Sequence, residues 1–387
     1  MKYLKILLIF LLLPLAAEAK PCKKITKALL DLYPEHTKEI MLTRFENASD
    51  KHKFLRSFIP YYYQEIAQSS AEIPAMQKAS KTTGHIVGDA HVENFGYLVG
   101  NDGKSILALN DFDDVAQGPL VLDVMRLSQS GSYMDKNLDQ AKLIKSYLEG
   151  LKNSPYKYSD FVNKLGAKSL EGGHLSKAET KVVGNAKVFA VKQSPSFATT
   201  EAQIKTFHDI LKKKHGKNYK LLDSYRTMKE SGGSAYGKRY HLLVEVDGKE
   251  GFIELKEVMD TGVVPKLQSK KVSNKERIIS SRDVFLGANY SEMIDVVEVE
   301  EKQFQLRHKI AGNKSLDFSK IKSKDYGGLI QDEFYLLGQL HRKSLNADPN
   351  KIASYTKDIN SITDKEWQLT TDFMRKKIRK AFDAANE

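Results

Sequence analysis

The sequence predicts an α+β fold, a mostly helical body joined to a smaller antiparallel β region. Three observations carry this. Apolar residues recur at helical spacing on Leu138, Ala141, Ile144, Leu148 and Leu151, and again through 326–344 and 364–383. Tyr240, Leu242, Val244 and Val246 alternate, turn at Asp247-Gly248, and are answered by 252–258, which reads as a hairpin. Between helical and β-rich stretches lies a segment of short apolar runs, glycine turns and carboxylates, Gly84 to Arg126.

The chain has 387 residues, 61 Lys+Arg against 49 Asp+Glu, and a net charge of +12. That length and an apolar fraction of 41% support a real core and exclude a disordered or collagen-like chain. The one cysteine, Cys22, cannot close an internal disulfide or build a Cys-rich zinc site, and no HExxH pattern is present. A basic balance suits nucleic acid, anionic lipid or a phosphorylated substrate; the charge is spread along the chain, so nucleic acid is not the expected partner.

The first residues form an address. Lys2 and Lys5 precede the apolar run Ile6 to Ala17, and Ala17-Glu18-Ala19 is a small-x-small site. Residues 1–19 therefore read as a secretory signal, and the protein as exported, periplasmic or secreted, with no span after cleavage. Residues 21–80 read as helical, with Tyr61-Tyr62-Tyr63 clustered. Ile86-Val87 and 106–109 read as buried strands around the turn Asn101 to Lys104. Thr200 to Gln203 is a capping box opening a helix, 294–306 a further hairpin, and Thr363/Glu366 a second capping box.

Two strings carry chemistry. GDAHVENFG (88–96) places Asp89 after a strand with Asn94 five residues on, and LNDFDD (109–114) places Asp111, Asp113 and Asp114 after the next strand. A hard cation such as Mg²⁺ takes one or two carboxylates plus substrate phosphates, and an Asp left free of metal can accept a proton from a hydroxyl. These are the parts of phosphoryl transfer. His91 orients the loop as a neutral imidazole. Further on, Ser231 to Gly237 is Gly-rich, so backbone amides can approach phosphate oxygens, and Lys256 on the neighbouring strand can reach the same phosphates.

GDAHVENFG and NDFDD, with Gly118-Pro119, Asp123 to Ser128, Leu255-Lys256-Glu257, Asp283 to Gly287 and Gly338 to Arg342, resemble the bacterial family called domain of unknown function 2252. That family in turn resembles protein-kinase-like phosphotransferases of the aminoglycoside and choline kinase type, whose catalytic loop has the form GDxHxxN. The resemblance implies a two-lobe kinase-like fold. Asp89 and His91 would be its catalytic residues, and Asn94, Asp111 and Asp113 its metal set. Gly232, Gly233, Ser234, Gly237 and Lys256 would bind the nucleotide, and Asp123 would support the loop from a helix start. It implies ATP and Mg²⁺, an unidentified hydroxyl acceptor, and Glu276 as the helix carboxylate available to Lys256. Because the Gly-rich loop follows the catalytic loop here, it also implies circular permutation. Residues 20–199 would belong to the large lobe, 200–320 to the small β lobe, and 321–387 would pack on the large lobe. Two other readings stay open: a non-catalytic kinase-like binding protein and a metal-dependent phosphoesterase.

Overall fold

The computed structural model describes residues 20–34, 37–192, 196–229, 233 and 235–385. The expected signal segment 1–19 and Ser231, Gly232 and Ser234 of the Gly-rich loop lie outside the described residues. The architecture is mixed α+β with antiparallel sheets. Among the described residues, no helix is long and apolar enough to cross a membrane.

The N-terminal stretch is helical, as its spacing predicts: Lys20–Leu30, Lys38–Asn47, Lys51–Ser57, Ile59–Ser69 and Pro74–Ala79. Thr37 and Asp50 cap two of these helices by accepting from Ile40 N and Lys53 N. Tyr61, Tyr62 and Tyr63 are all buried on Ile59–Ser69.

Two hairpins are then nested. Thr83–Ile86 pairs antiparallel with Ala116–Pro119, and inside that pair Phe95–Val99 pairs with Ser105–Leu109. Loop 87–94 leads from the outer pair to the inner one and loop 110–115 leads back, and Asn110 N donates to Asn94 O at 3.0 Å where they meet. The turn at Asn101–Lys104 is present, but it joins Ser105–Leu109 to Phe95–Val99, a strand the pattern did not reveal. The two motifs therefore end strands of different sheets.

The larger sheet has six strands in the order Ile294–Val299, Lys302–His308, Lys249–Glu257, Lys238–Val246, Tyr219–Met228 and Ser196–Phe197. Side chains alternate between its faces. One face (Tyr240, Leu242, Val244, Leu255, Phe304, Leu306) is apolar and covered by Phe207 and Leu211 of helix Glu201–His215. That helix opens on the expected Thr200–Gln203 capping box. The other face carries Arg239, Glu254, Lys256 and Arg307, brought side by side by the register.

In the helical body, Tyr326–Ser344 crosses Gln140–Lys152 at two glycines. A Cβ at Gly150 would overlap the Tyr335 carbonyl, and one at Gly338 the Tyr147 carbonyl. Asp364–Ala385 begins at the Thr363/Glu366 box and buries Trp367, Met374, Ile378 and Ala381. We expect Gly338→Ala to cost about 3 kcal/mol in urea denaturation, by overpacking against backbone. Gly328→Ala on the same helix, where a Cβ meets open space, should be neutral or stabilising by roughly 1 kcal/mol. Equal effects would refute the close crossing.

Candidate functional site

Loop 87–94 turns at Gly88, whose φ is +75° and where a Cβ would overlap the Asp114 carbonyl. Its first two backbone donors end on one side chain. Asp123, in the first turn of helix Val121–Met134, accepts from Val87 N at 2.6 Å and Gly88 N at 2.9 Å. Asp123 is fully buried, and His341 Nε2 lies 3.0 Å from the same carboxylate, with Tyr147 Oη 2.7 Å from His341 Nδ1. Tyr63 Oη donates to Gly88 O from the opposite side. Asp123 thus occupies the supporting position expected of it.

One helical turn beyond Asp123 stands Arg126, also fully buried. Its Nε donates to Asp89 Oδ1 at 2.8 Å, a second guanidinium nitrogen meets the same oxygen, and Leu55 O accepts at 3.1 Å. Tyr62 lies face-on to the guanidinium, 4.6 Å from ring centre to Cζ. Burial pushes the Asp89 carboxyl above its usual value against the pull of Arg126. His91 Nδ1 accepts from Glu93 N at 3.1 Å, so the proton sits on Nε2, 3.5 Å from Asp89 Oδ2. Burial, then the Arg56 charge, holds His91 neutral, well below the usual histidine value. Asn94 donates Nδ2 to Asp89 O at 3.0 Å, which leaves its amide oxygen turned the other way.

Loop 110–115 forms the facing wall. Lys256 Nζ lies 3.1 and 2.9 Å from the two Asp111 oxygens and also contacts Asp113. Burial opposes the Asp111 charge, but Lys256 and Arg307 together hold its carboxyl well below the usual range. Asp114 Oδ1 accepts from Gly262 N at 2.7 Å, and its carbonyl accepts from Thr261 Oγ1 at 2.9 Å. Burial, then the Asp89 charge, pushes Asp114 up to about 7. Beside Lys256, Glu254 is clamped by Arg307 and by Arg239 at 3.2 Å.

The Gly-rich turn connects strands Tyr219–Met228 and Lys238–Val246. It is closed by Tyr236 N donating to Lys229 O at 2.6 Å, with Tyr236 at φ +67°. Buried Arg44 donates to Gly233 O at 3.2 Å and Ala235 O at 3.0 Å. Gly233 reaches the cavity, whereas Gly237 only leads into the next strand. Burial, then the charges of Lys256 and Arg239, brings the Lys229 ammonium down to about 8. Glu276 does not reach Lys256: it contacts Lys270 at 3.3 Å on the surface. The same helix instead sends Arg277 beneath the acidic loop, to the carbonyls of Asp113, Val115 and Met259.

Asp89, His91, Asn94, Asp111, Asp113, Asp114, Arg56, Lys229 and Gly233 line one small cavity. Among the described residues, no group of three His, Cys, Asp or Glu side chains is arranged as a metal cage. The donor set nevertheless suits Mg²⁺, which takes one or two carboxylates and completes its shell with water and phosphate: the Asp111 carboxylate and the Asn94 amide oxygen are hard ligands on facing loops. Arg126, Arg44, Arg56 and Lys229 were given no role by the sequence reading. For Arg126 a signal existed, its i,i+3 spacing from Asp123; for the others none did.

Removing one partner of a buried ion pair costs about 3–5 kcal/mol, so Arg126→Met should lower stability by that order. The double variant Arg126→Met/Asp89→Asn should recover part of the loss in denaturation; additive losses would refute the pairing. Asp114 gives a pH signature. Its folded value near 7 exceeds the unfolded value, so the native state binds the extra proton and stability falls as pH rises from about 4 to about 7. Asp114→Asn in metal-free buffer should flatten that slope; an unchanged slope would overturn the assignment.

Comparison with curated proteins and with solved structures gave no match. Residues 38–143, which hold both acidic loops, Asp123 and Arg126 but none of the six-stranded sheet, match a family described as an uncharacterized protein conserved in bacteria (DUF2252), the domain family to which this part of the chain is similar.

Proposed function

We propose that the protein is an exported, kinase-like phosphotransferase with circularly permuted lobe order, moving a phosphoryl group from ATP to a hydroxyl acceptor with Mg²⁺. One observation carries this. Asp89 with Asn94, Asp111, and Gly233 come from three separate stretches of the chain and line one cavity, and Lys256, from a fourth, holds Asp111 in its wall. Phosphoryl transfer asks for those parts together: a Gly-rich turn and a strand lysine for the phosphates, a loop Asn and Asp for metal, and an Asp for the acceptor hydroxyl. The lysine sits on the third strand counted from the one before the Gly-rich turn, as it does in protein kinases.

Each side chain has a task that follows from its surroundings. Asp89 Oδ1 is held by Arg126, which leaves Oδ2 to accept a hydroxyl proton. His91 is the positioning residue: neutral, with Nε2–H toward Oδ2, it orients that oxygen without taking the proton itself. Lys256, 2% exposed at its side chain, is fixed by Asp111 and Asp113 and carries its charge to where phosphate oxygens would lie. Gly233 offers backbone to the same oxygens. When bound between Asn94 and Asp111, Mg²⁺ supplies neutralisation of phosphate charge. Asp113 takes over from a helix carboxylate as the fixed partner of Lys256.

Thermal denaturation with and without Mg–ATP tests this. At 100 times its dissociation constant the nucleotide should stabilise the fold by about 2.7 kcal/mol. The shift should require Mg²⁺ and vanish in Asp111→Ala. No shift at saturating Mg–ATP, or the same shift in Asp111→Ala, would overturn the reading.

A further inference from the structure

The cavity described above shares a wall with a second one. His91, Asn94, Asp111 and Arg56 line both. On the far side of that wall three lysines converge from different segments. Lys177 follows the bridge between Ser176 and Ile310, Lys309 leaves the end of strand Lys302–His308, and Lys314 pairs with Tyr97 beyond the catalytic loop. All three line the second cavity.

These charges are poorly matched within the chain. Lys177 Nζ donates to the Asn313 carbonyl at 2.6 Å, a neutral partner. Lys309 faces Glu254 at 3.9 Å, but that carboxylate is already clamped by Arg307 and Arg239. Among the described residues Lys314 makes no ion pair. Burial and mutual repulsion bring the Lys177 ammonium down to about 8. Holding like charges together costs energy that an anionic ligand would return. The phosphates of the donor have other cations, Lys229 lining the first cavity and Lys256 bonded to Asp111 in its wall.

We propose that Lys177, Lys309 and Lys314 form a subsite for an anionic group, phosphate or carboxylate, on the acceptor. This rests on the phosphotransferase reading for the word acceptor; the anion subsite itself does not. The acceptor spans both chambers, its anionic end among the lysines and its hydroxyl reaching past His91 and Asn94 to Asp89. An acceptor of the choline or aminoglycoside kind, being cationic, meets three ammonium groups there and is rejected.

Titration calorimetry of the purified protein tests this with two probes, inorganic pyrophosphate in EDTA and Mg–ATP. A lost charge-assisted hydrogen bond is worth about tenfold in affinity or more. The triple variant Lys177→Gln/Lys309→Gln/Lys314→Gln should therefore weaken pyrophosphate at least about tenfold, and Mg–ATP far less. Lys229→Gln should show the reverse order. Unchanged pyrophosphate affinity in the triple variant overturns the subsite. An equal loss of both probes assigns the lysines to the donor and overturns the acceptor assignment. If Mg–ATP fails to bind while the pyrophosphate arms behave as expected, the anion subsite stands and the phosphotransferase reading falls. Should the triple variant not fold, Lys177→Gln alone, at the most exposed of the three positions, carries the same comparison with a smaller expected loss.

Discussion

The acceptance of two backbone N–H groups by the Asp123 carboxylate is the interaction on which the site depends. Val87 and Gly88 must present their amides inward for the chain to leave strand Thr83–Ile86 and enter the loop. Inside a dry core an unpaired amide costs about 1–3 kcal/mol, so that turn needs an acceptor in a fixed place. Asp123 can serve only if its own charge is satisfied, and His341 comes from a helix more than two hundred residues later to do so. His341 is positioned in turn by Tyr147, across the crossing where Gly150 and Gly338 bring two helices to backbone contact. The packing of the helical body is thereby transmitted to a nine-residue motif.

Compensation of the buried carboxylates is unequal, and the inequality sets their chemistry. Asp111 shares Lys256 with Asp113 and stays ionised under all ordinary conditions. Asp114 has a single backbone donor and the repulsion of Asp89, and it titrates near neutrality. Asp89 stands between, desolvated but fixed by Arg126. A carboxylate that is to accept a proton is useful when it is neither too acidic nor permanently neutral. The same desolvation that raises the Asp89 carboxyl keeps His91 uncharged, so on the proposed reading the imidazole orients the base and does not compete with it.

Much of this was legible in the sequence because the chemistry is concentrated in short strings and the helices are periodic. The capping boxes at Thr200 and Thr363 and the hairpin around Asp247-Gly248 rest on local chemistry, and they stand where local chemistry puts them. Phe95–Val99 escaped notice because Gly96 interrupts its pattern and it follows the motif without a turn signal. The pairing of Lys256 with Asp113, and the use of Arg277 where a helix carboxylate was expected, depend on which way a helix faces across a long-range contact. Nothing in the spacing of those residues encodes that.

Chain order and spatial order part company in this fold, and the link between them is short. The Gly-rich turn and Lys256 come well after the acidic loops, yet Lys256 bridges to Asp111 and Asp113. After the last long strand of the sheet, residues 309–313 run directly to Lys314–Ser315, which pairs with Tyr97 and Gly96 beside loop 87–94. That connection does two things at once. It ties strand Lys302–His308, the neighbour of the lysine strand, to the small sheet of Phe95–Val99 and Ser105–Leu109, so that the lysine strand and the aspartate loop hold their spacing. It also carries Lys309 and Lys314 along the rim of the cleft, where Lys177 joins them through the bridge at Ile310. A segment that joins the two halves of a site is bound to line it, and here its residues are cationic. On the proposed reading, the connection that lets the Gly-rich turn and Lys256 follow the acidic loops in the chain is therefore also the wall that selects the charge of what enters.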